Sequence, residues 1–171
     1  MATNDSSSQT VRRRVTKEIV GDYTVITRPC IGSGTFGRVC EAEHNGTHEK
    51  VAVKEIYIAN YDKKHQHMVD MARREIQILK KLKSHRNVVQ IIDQVLEEDT
   101  CWIFMELCSL GDLTVYLEDN KNISLLSKVK IMHQSASAVA FMHRQKPAII
   151  HRDLKLHFND ITRRRRCSQI D

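Results

Sequence analysis

Only two prolines and six glycines punctuate the 171 residues, and aromatic side chains make up 5% of them. The scarcity of glycine and proline excludes collagen-like and mucin-like chains, and an apolar content of 41% excludes a wholly disordered one. The five cysteines, Cys30, Cys40, Cys101, Cys108 and Cys167, are odd in number and contain no C-x-x-C pair. Neither a disulfide framework nor a zinc site follows, and reduced, mostly buried thiols are expected. No apolar run approaches 18 residues, and the first residues lack the basic and apolar regions of a secretory signal, so neither a membrane span nor secretion is expected. An intracellular protein is the expectation, cytoplasmic, with the run Arg163, Arg164, Arg165, Arg166 leaving a nuclear address open.

What is present is 41% apolar and 28% charged side chains with a net charge of +6, the balance of one soluble globular domain. The excess charge is concentrated at the ends: residues 1–20 and residues 160–171 each carry two of the six positive charges. Neither end interleaves aromatics with its basic residues, so nucleic acid is not expected as a partner. Residues 1–20, Ser-rich and then basic, are expected to form a disordered arm, and residues 159–171 a basic tail.

Between these ends the patterning alternates in kind. Strands are expected at 23–30, 39–44 and 51–57, with Asn45-Gly46 signalling a hairpin between the last two. A helix is expected over 62–83, with Met68, Ala72, Ile76, Leu79 and Leu82 recurring at helical steps. Two further strands are expected at 88–96 and 101–107, around the acidic turn Glu97-Glu98-Asp99. A second helix, over 125–143, is expected to begin at the N-cap Ser124 and to bury the stripe Leu125, Val129, Met132, Ala136 and Val139. The fold class is therefore α+β: a five-stranded antiparallel sheet with one long helix, followed by helical structure.

Residues 32–39, Gly-Ser-Gly-Thr-Phe-Gly-Arg-Val, fit G-x-G-x-x-G-x-V. The loop runs into a strand, unlike a dinucleotide-binding loop, and Gly37 is followed by Arg38 and not by lysine, unlike a Walker loop. What remains is a hairpin whose backbone N–H groups can approach phosphate, or a flexible hairpin without a ligand. On the next strand the period of two puts Ala52 and Lys54 on one face and Val51 and Val53 on the other. Glu75 borders the apolar stripe of the first helix. There it either meets Lys54 or extends outward, leaving Ile76 to serve the stripe.

His151-Arg152-Asp153-Leu154-Lys155 comes after these. In that order, the glycine loop, the strand lysine, the helix glutamate and this pentapeptide resemble a eukaryotic protein kinase of the serine/threonine type. Pro147-Ala148-Ile149-Ile150-His151 is similar to the tyrosine-kinase-like group of that class. The resemblance implies a kinase small lobe at about 21–107, a hinge at about 105–112 and the start of a large lobe at about 113–158.

It implies an ATP site built from Ile31, Gly32, Gly34, Gly37, Val39, Ala52, Lys54, Glu75, Met105, Glu106, Cys108 and Asp112. It further implies catalytic roles for Asp153, Lys155 and Lys54, with ATP and Mg²⁺ as cofactors and protein serine or threonine hydroxyls as acceptors in a longer form. The family's H-R-D-L-x-x-x-N pattern expects an asparagine metal ligand where Phe158 stands, with Asn159 one residue late. No Asp-Phe-Gly follows. A truncated, catalytically impaired kinase is thus expected. The alternative is a non-catalytic, pseudokinase-like module that occupies partners of the longer enzyme. Partners expected besides ATP and the protein substrate are a chaperone or a partner of the kinase.

Overall fold

The computed structural model describes residues 15–34, 37–58, 63–152 and 154. They form an α+β fold: strands β1 (Thr16–Val20), β2 (Tyr23–Arg28), β3 (Gly32–Gly34), β4 (Gly37–His44) and β5 (Lys50–Tyr57), helix α1 (Lys63–Leu82), strands β6 (Ile91–Leu96) and β7 (Thr100–Glu106), and helices α2 (Leu113–Asp119) and α3 (Leu125–His143). All pairings are antiparallel, in the order β1-β2-β4-β5-β7-β6, with β3 also pairing β4.

The sheet has seven strands where five were expected, and the two additions have physical reasons. The strand β1 lies at the sheet's edge and buries only Val20. Its sequence Thr-Lys-Glu-Ile-Val therefore shows no alternation to read. The expected arm is corrected accordingly: order begins by Thr16. Strand β3 is Gly-Ser-Gly, a composition poor in strand propensity that pairs because the hairpin geometry imposes it.

Tyr23 on β2 and Phe104 on β7 stack with ring centroids 3.9 Å apart. Two strands, β4 and β5, lie between them in the sheet, which on a flat sheet would separate them by about 14 Å. The sheet is therefore strongly curled. Inside the curl sit Val20, Tyr23, Val25, Cys40, Ala42, Val51, Val53, Trp102 and Phe104. The opposite face of the sheet carries Ile56, Ile91, Cys101 and Ile103 against Ala72 and Ile76 of α1, with Met68 and Leu79 partly buried beside them. The expected stripe of α1 is thus the covered one, and the strand period of β5 divides its residues between the two cores as expected.

Helix α3 begins at the expected N-cap, where the Ser124 hydroxyl accepts from the Ser127 N–H at 3.1 Å. Its expected packing face, however, is wrong by half a turn of the helix. Ser127, Ile131 and Met142 are buried, and the segment after α1 reaches the same side: His85 stacks on Phe141 at 4.8 Å, and the Asn87 side chain donates to the Gln134 carbonyl at 3.2 Å. Leu125, Val129 and Met132, from the expected stripe, are exposed at 77%, 52% and 71%, with Leu126 beside them at 63%. The helix is apolar on two opposite sides, so periodicity alone could not say which one is covered. Val129→Gln with Met132→Glu is expected to reduce binding of a hydrophobic dye to the chain without lowering its melting temperature. A drop of more than about 3 °C would show that this side is packed after all.

Candidate nucleotide site

The glycine motif folds into a tight hairpin. Gly32 pairs with Val39, Ser33 with Arg38 and Gly34 with Gly37, and the Ile31 N–H donates to the Val39 carbonyl at 2.8 Å. Its glycines serve different ends. Gly37 has φ +128°, and a Cβ there would lie 1.9 Å from the Glu55 carbonyl oxygen, so the fold itself demands glycine. A Cβ on Gly32 would meet nothing within 4 Å. The chain has no need of glycine at that point, and the backbone is left open to approach from outside. Ile31 stands 56% exposed beside it.

Pairing register carries the site from this hairpin across the sheet. Val39 lies opposite Lys54, and Ala52 opposite Met105. Directly opposed residues share a face, so Val39, Ala52, Lys54 and Met105 all belong to the α1 side. Ala52, small and buried, leaves space between its larger neighbours. On the same side the Lys54 Nζ donates to Glu75 Oε1 at 2.7 Å and to Oε2 at 2.8 Å. Of the two alternatives for Glu75, the structure adopts the inward one. The side chains remain 21% and 33% exposed, which limits the pair to about 1 kcal/mol of stability. A double-mutant cycle with Lys54→Met and Glu75→Gln, read by chemical denaturation, is expected to give a coupling of about 0.5–1 kcal/mol; strict additivity would contradict the pairing.

Beyond Met105 the chain leaves the sheet. The Glu106 N–H donates to the Gln90 carbonyl at 3.0 Å, and the Gln90 N–H donates to the Glu106 carboxylate at 3.1 Å. The Cys108 carbonyl accepts from the Gly111 N–H at 3.0 Å. Asp112 caps α2, its carboxylate accepting from the Val115 N–H at 2.9 Å. These bonds fix the course of residues 106–112 between β7 and α2.

Asp153, Lys155 and Asn159 lie outside the described residues. Of the pentapeptide, Arg152 is described with φ +65°, a left-handed backbone that non-glycine residues adopt at a cost. Among the described residues no three His, Cys, Asp or Glu side chains converge into a group able to hold a metal ion. Nor is any helix among them long and apolar enough to cross a membrane.

Two contacts on the other face of the sheet, behind the site, escaped the sequence. Arg38 and Glu55 form a two-pronged ion pair, Nε to Oε2 at 2.5 Å and Nη2 to Oε1 at 3.1 Å. The bond to Glu55 raises the Arg38 pKa above its ordinary value. The pair ties the hairpin to β5, and centring the β4–β5 turn between Gly46 and Thr47 would have placed the two residues opposite each other. The second is a thiol pair, Cys30 with Cys40, which no local pattern announces.

Comparison with known proteins gives the family. The chain is 34% identical over 150 residues to the hormonally up-regulated neu tumor-associated kinase homolog of Xenopus tropicalis, covering 88% of this chain and 21% of that protein. It is 34% identical over 140 residues to the serine/threonine-protein kinase ATG1c of Arabidopsis thaliana, covering 82% and 18%. It is 40% identical over 127 residues to the probable serine/threonine-protein kinase zyg-1 of Caenorhabditis elegans, covering 72% and 16%. The chain thus spans about a fifth of the length of these relatives. Residues 26–159 match the protein kinase domain, a stretch that takes in strands β3 to β7, the Lys54–Glu75 pair and α3, and the chain accordingly belongs to the protein kinase family.

Proposed function

We propose that these residues form the ATP-binding part of a serine/threonine protein kinase. The observation that carries the reading is the Lys54–Glu75 pair, set on the same face as Val39, Ala52 and Met105 and one strand from a hairpin whose Gly32 is open to approach. A flat base is accommodated against Ala52, bordered by Val39, Met105 and residues 106–112. The phosphates then lie under the hairpin, where backbone N–H groups and the Lys54 ammonium donate to their oxygens. Glu75 holds the ammonium in place, so little orientation is lost when the nucleotide binds. Ile31 covers the base from the hairpin side, and Asp112 stands where a ribose hydroxyl would reach.

Transfer of the γ-phosphate to protein serine or threonine hydroxyls is, on this reading, the work of a longer form of the protein. Asp153 orients the acceptor hydroxyl there and Lys155 approaches the transferring group. Mg²⁺ supplies charge neutralisation across the β- and γ-phosphates in such reactions. The described residues offer no cluster that fits it. The division into a small lobe to about residue 107, a hinge at about 105–112 and large-lobe residues to about 158 belongs to the same proposal. So does a location inside the cell.

A second reading is favoured by one residue. Phe158 stands where the family pattern has its metal-ligating asparagine, which suits a module that binds nucleotide and partners without turning nucleotide over. Titration of the 171-residue chain with a fluorescent ATP analogue tests what both readings share. Saturable binding displaced by unlabelled ATP is expected, and its absence would overturn both. Radiolabelled phosphate transfer by the longer form, lost in Asp153→Asn, would then decide for catalysis over the second reading.

A further inference from the structure

Cys30 lies in the short kink between β2 and β3, and Cys40 lies on β4 at the foot of the glycine hairpin. The Cys40 thiol donates to the Cys30 sulfur with Sγ–Sγ 2.9 Å, and the Cys30 thiol donates to the Thr27 carbonyl at 3.1 Å. Both cysteines are free. A disulfide requires an S–S distance of about 2.0 Å, so less than 1 Å of approach separates the present contact from a bond. The two thiols are unequal. Cys40 is fully buried in the core inside the curl, whereas Cys30 is half-buried at its margin.

Arg38 stands by the pair. Its guanidinium donates to the Thr27 carbonyl at 3.5 Å, the same carbonyl that accepts from Cys30. Burial, more than any other cause, pushes the Cys40 thiol up to about 12. The half-buried Cys30 is therefore the thiol that meets an oxidant, and the buried Cys40 is the one that resolves it.

We propose that Cys30 and Cys40 are a redox-sensitive pair that hydrogen peroxide closes to a disulfide, clipping the foot of the glycine hairpin. The Cys30 thiolate attacks one peroxide oxygen and the O–O bond breaks, giving a sulfenic acid and a hydroxide that takes up the proton lost by the thiol. Cys40 sulfur then attacks the sulfenic sulfur, and the sulfenic oxygen leaves with the Cys40 proton as water. Two thiols and one peroxide become one disulfide and two waters. Each sulfur gives up one electron and each peroxide oxygen gains one. Reduction by a dithiol restores the open pair.

The closed bond joins the kink before β3 directly to β4, across a loop that contains the whole hairpin. It limits how far the hairpin can lift from the sheet. The chemistry stands without any bound nucleotide and is tested without one.

The reduced 171-residue chain is treated with a few equivalents of hydrogen peroxide, quenched, digested with trypsin and analysed by mass spectrometry without reduction. Residues 18–38 and 39–50 each end at a basic residue and each hold one cysteine of the pair. The expected product is these two peptides joined, two mass units below their sum, and separated by dithiothreitol. Cys30→Ser is expected to abolish it. In the oxidised chain, amide hydrogen exchange at residues 37–40 is expected to slow at least threefold. Sulfinic acid at Cys30 without a cross-link, or a cross-link that uses Cys101, Cys108 or Cys167 instead, would overturn the assignment. The wild-type peptide map decides this even if a cysteine variant fails to fold. A cross-link with unchanged exchange would overturn the clip.

Discussion

Gly37→Ala is expected to lower the melting temperature of the chain by about 10 °C. At φ +128° an alanine is strained, and its Cβ would lie 1.9 Å from the Glu55 carbonyl oxygen. That oxygen belongs to the backbone of a strand paired on both sides, so it has no cheap way to retreat. Strain of about 1–3 kcal/mol together with the displaced pairing gives about 3–5 kcal/mol, at the upper end of what single substitutions cost. For a chain of this size each kcal/mol corresponds to about 2–4 °C. Gly32→Ala is the control, because its Cβ would enter open space. It is expected to leave the melting temperature within about 2 °C while weakening ATP binding, since the added methyl occupies the approach to the hairpin backbone. Equal thermal effects of the two substitutions would contradict this division of labour between the glycines.

The second large effect is expected at Lys54. Lys54→Met removes the ammonium that meets the phosphates on the proposed reading and should weaken ATP binding at least tenfold. A charge-assisted hydrogen bond contributes about 1.5–3 kcal/mol, and each 1.4 kcal/mol is a factor of ten. Glu75→Gln keeps the shape and a hydrogen-bond acceptor while losing the charge that holds the ammonium, so a smaller loss, about threefold, is expected. The melting temperature should fall by no more than about 4 °C in either variant, because the pair is partly exposed and contributes only about 1 kcal/mol to stability. Calorimetric titration beside thermal melts separates the two effects. Lost stability with unchanged affinity would assign Lys54 and Glu75 a purely structural role.

Much of this was legible because one-dimensional patterns suffice for elements that have one buried face. The period of two in Val51-Ala52-Val53-Lys54 divided those residues between two cores, and the helical steps from Met68 to Leu82 identified the side of α1 that covers the sheet. Lys54 and Glu75, 21 residues apart, could be paired because each lay beside apolar surface and needed a partner. The pattern failed where burial does not alternate. The edge strand β1 buries one residue of five. Helix α3 is apolar on both sides, and the covered side was the one not chosen. Helix α2 is seven residues long, too short for periodicity to emerge. The Arg38–Glu55 and Cys30–Cys40 contacts depend on register and on the kink before β3, which follow from the three-dimensional pairing and not from local composition.

On the proposed reading an ATP phosphate lies against Lys54 beneath the hairpin. This is tested most directly by labelling the 171-residue chain with an acyl phosphate derivative of ATP, which acylates a lysine amine held next to the bound phosphates, and mapping the modified lysine by mass spectrometry. Lys54 is expected to be the principal site, and excess ATP should protect it. An unlabelled Lys54, or ATP protection at a lysine away from the face shared by Val39, Ala52 and Met105, would contradict the site.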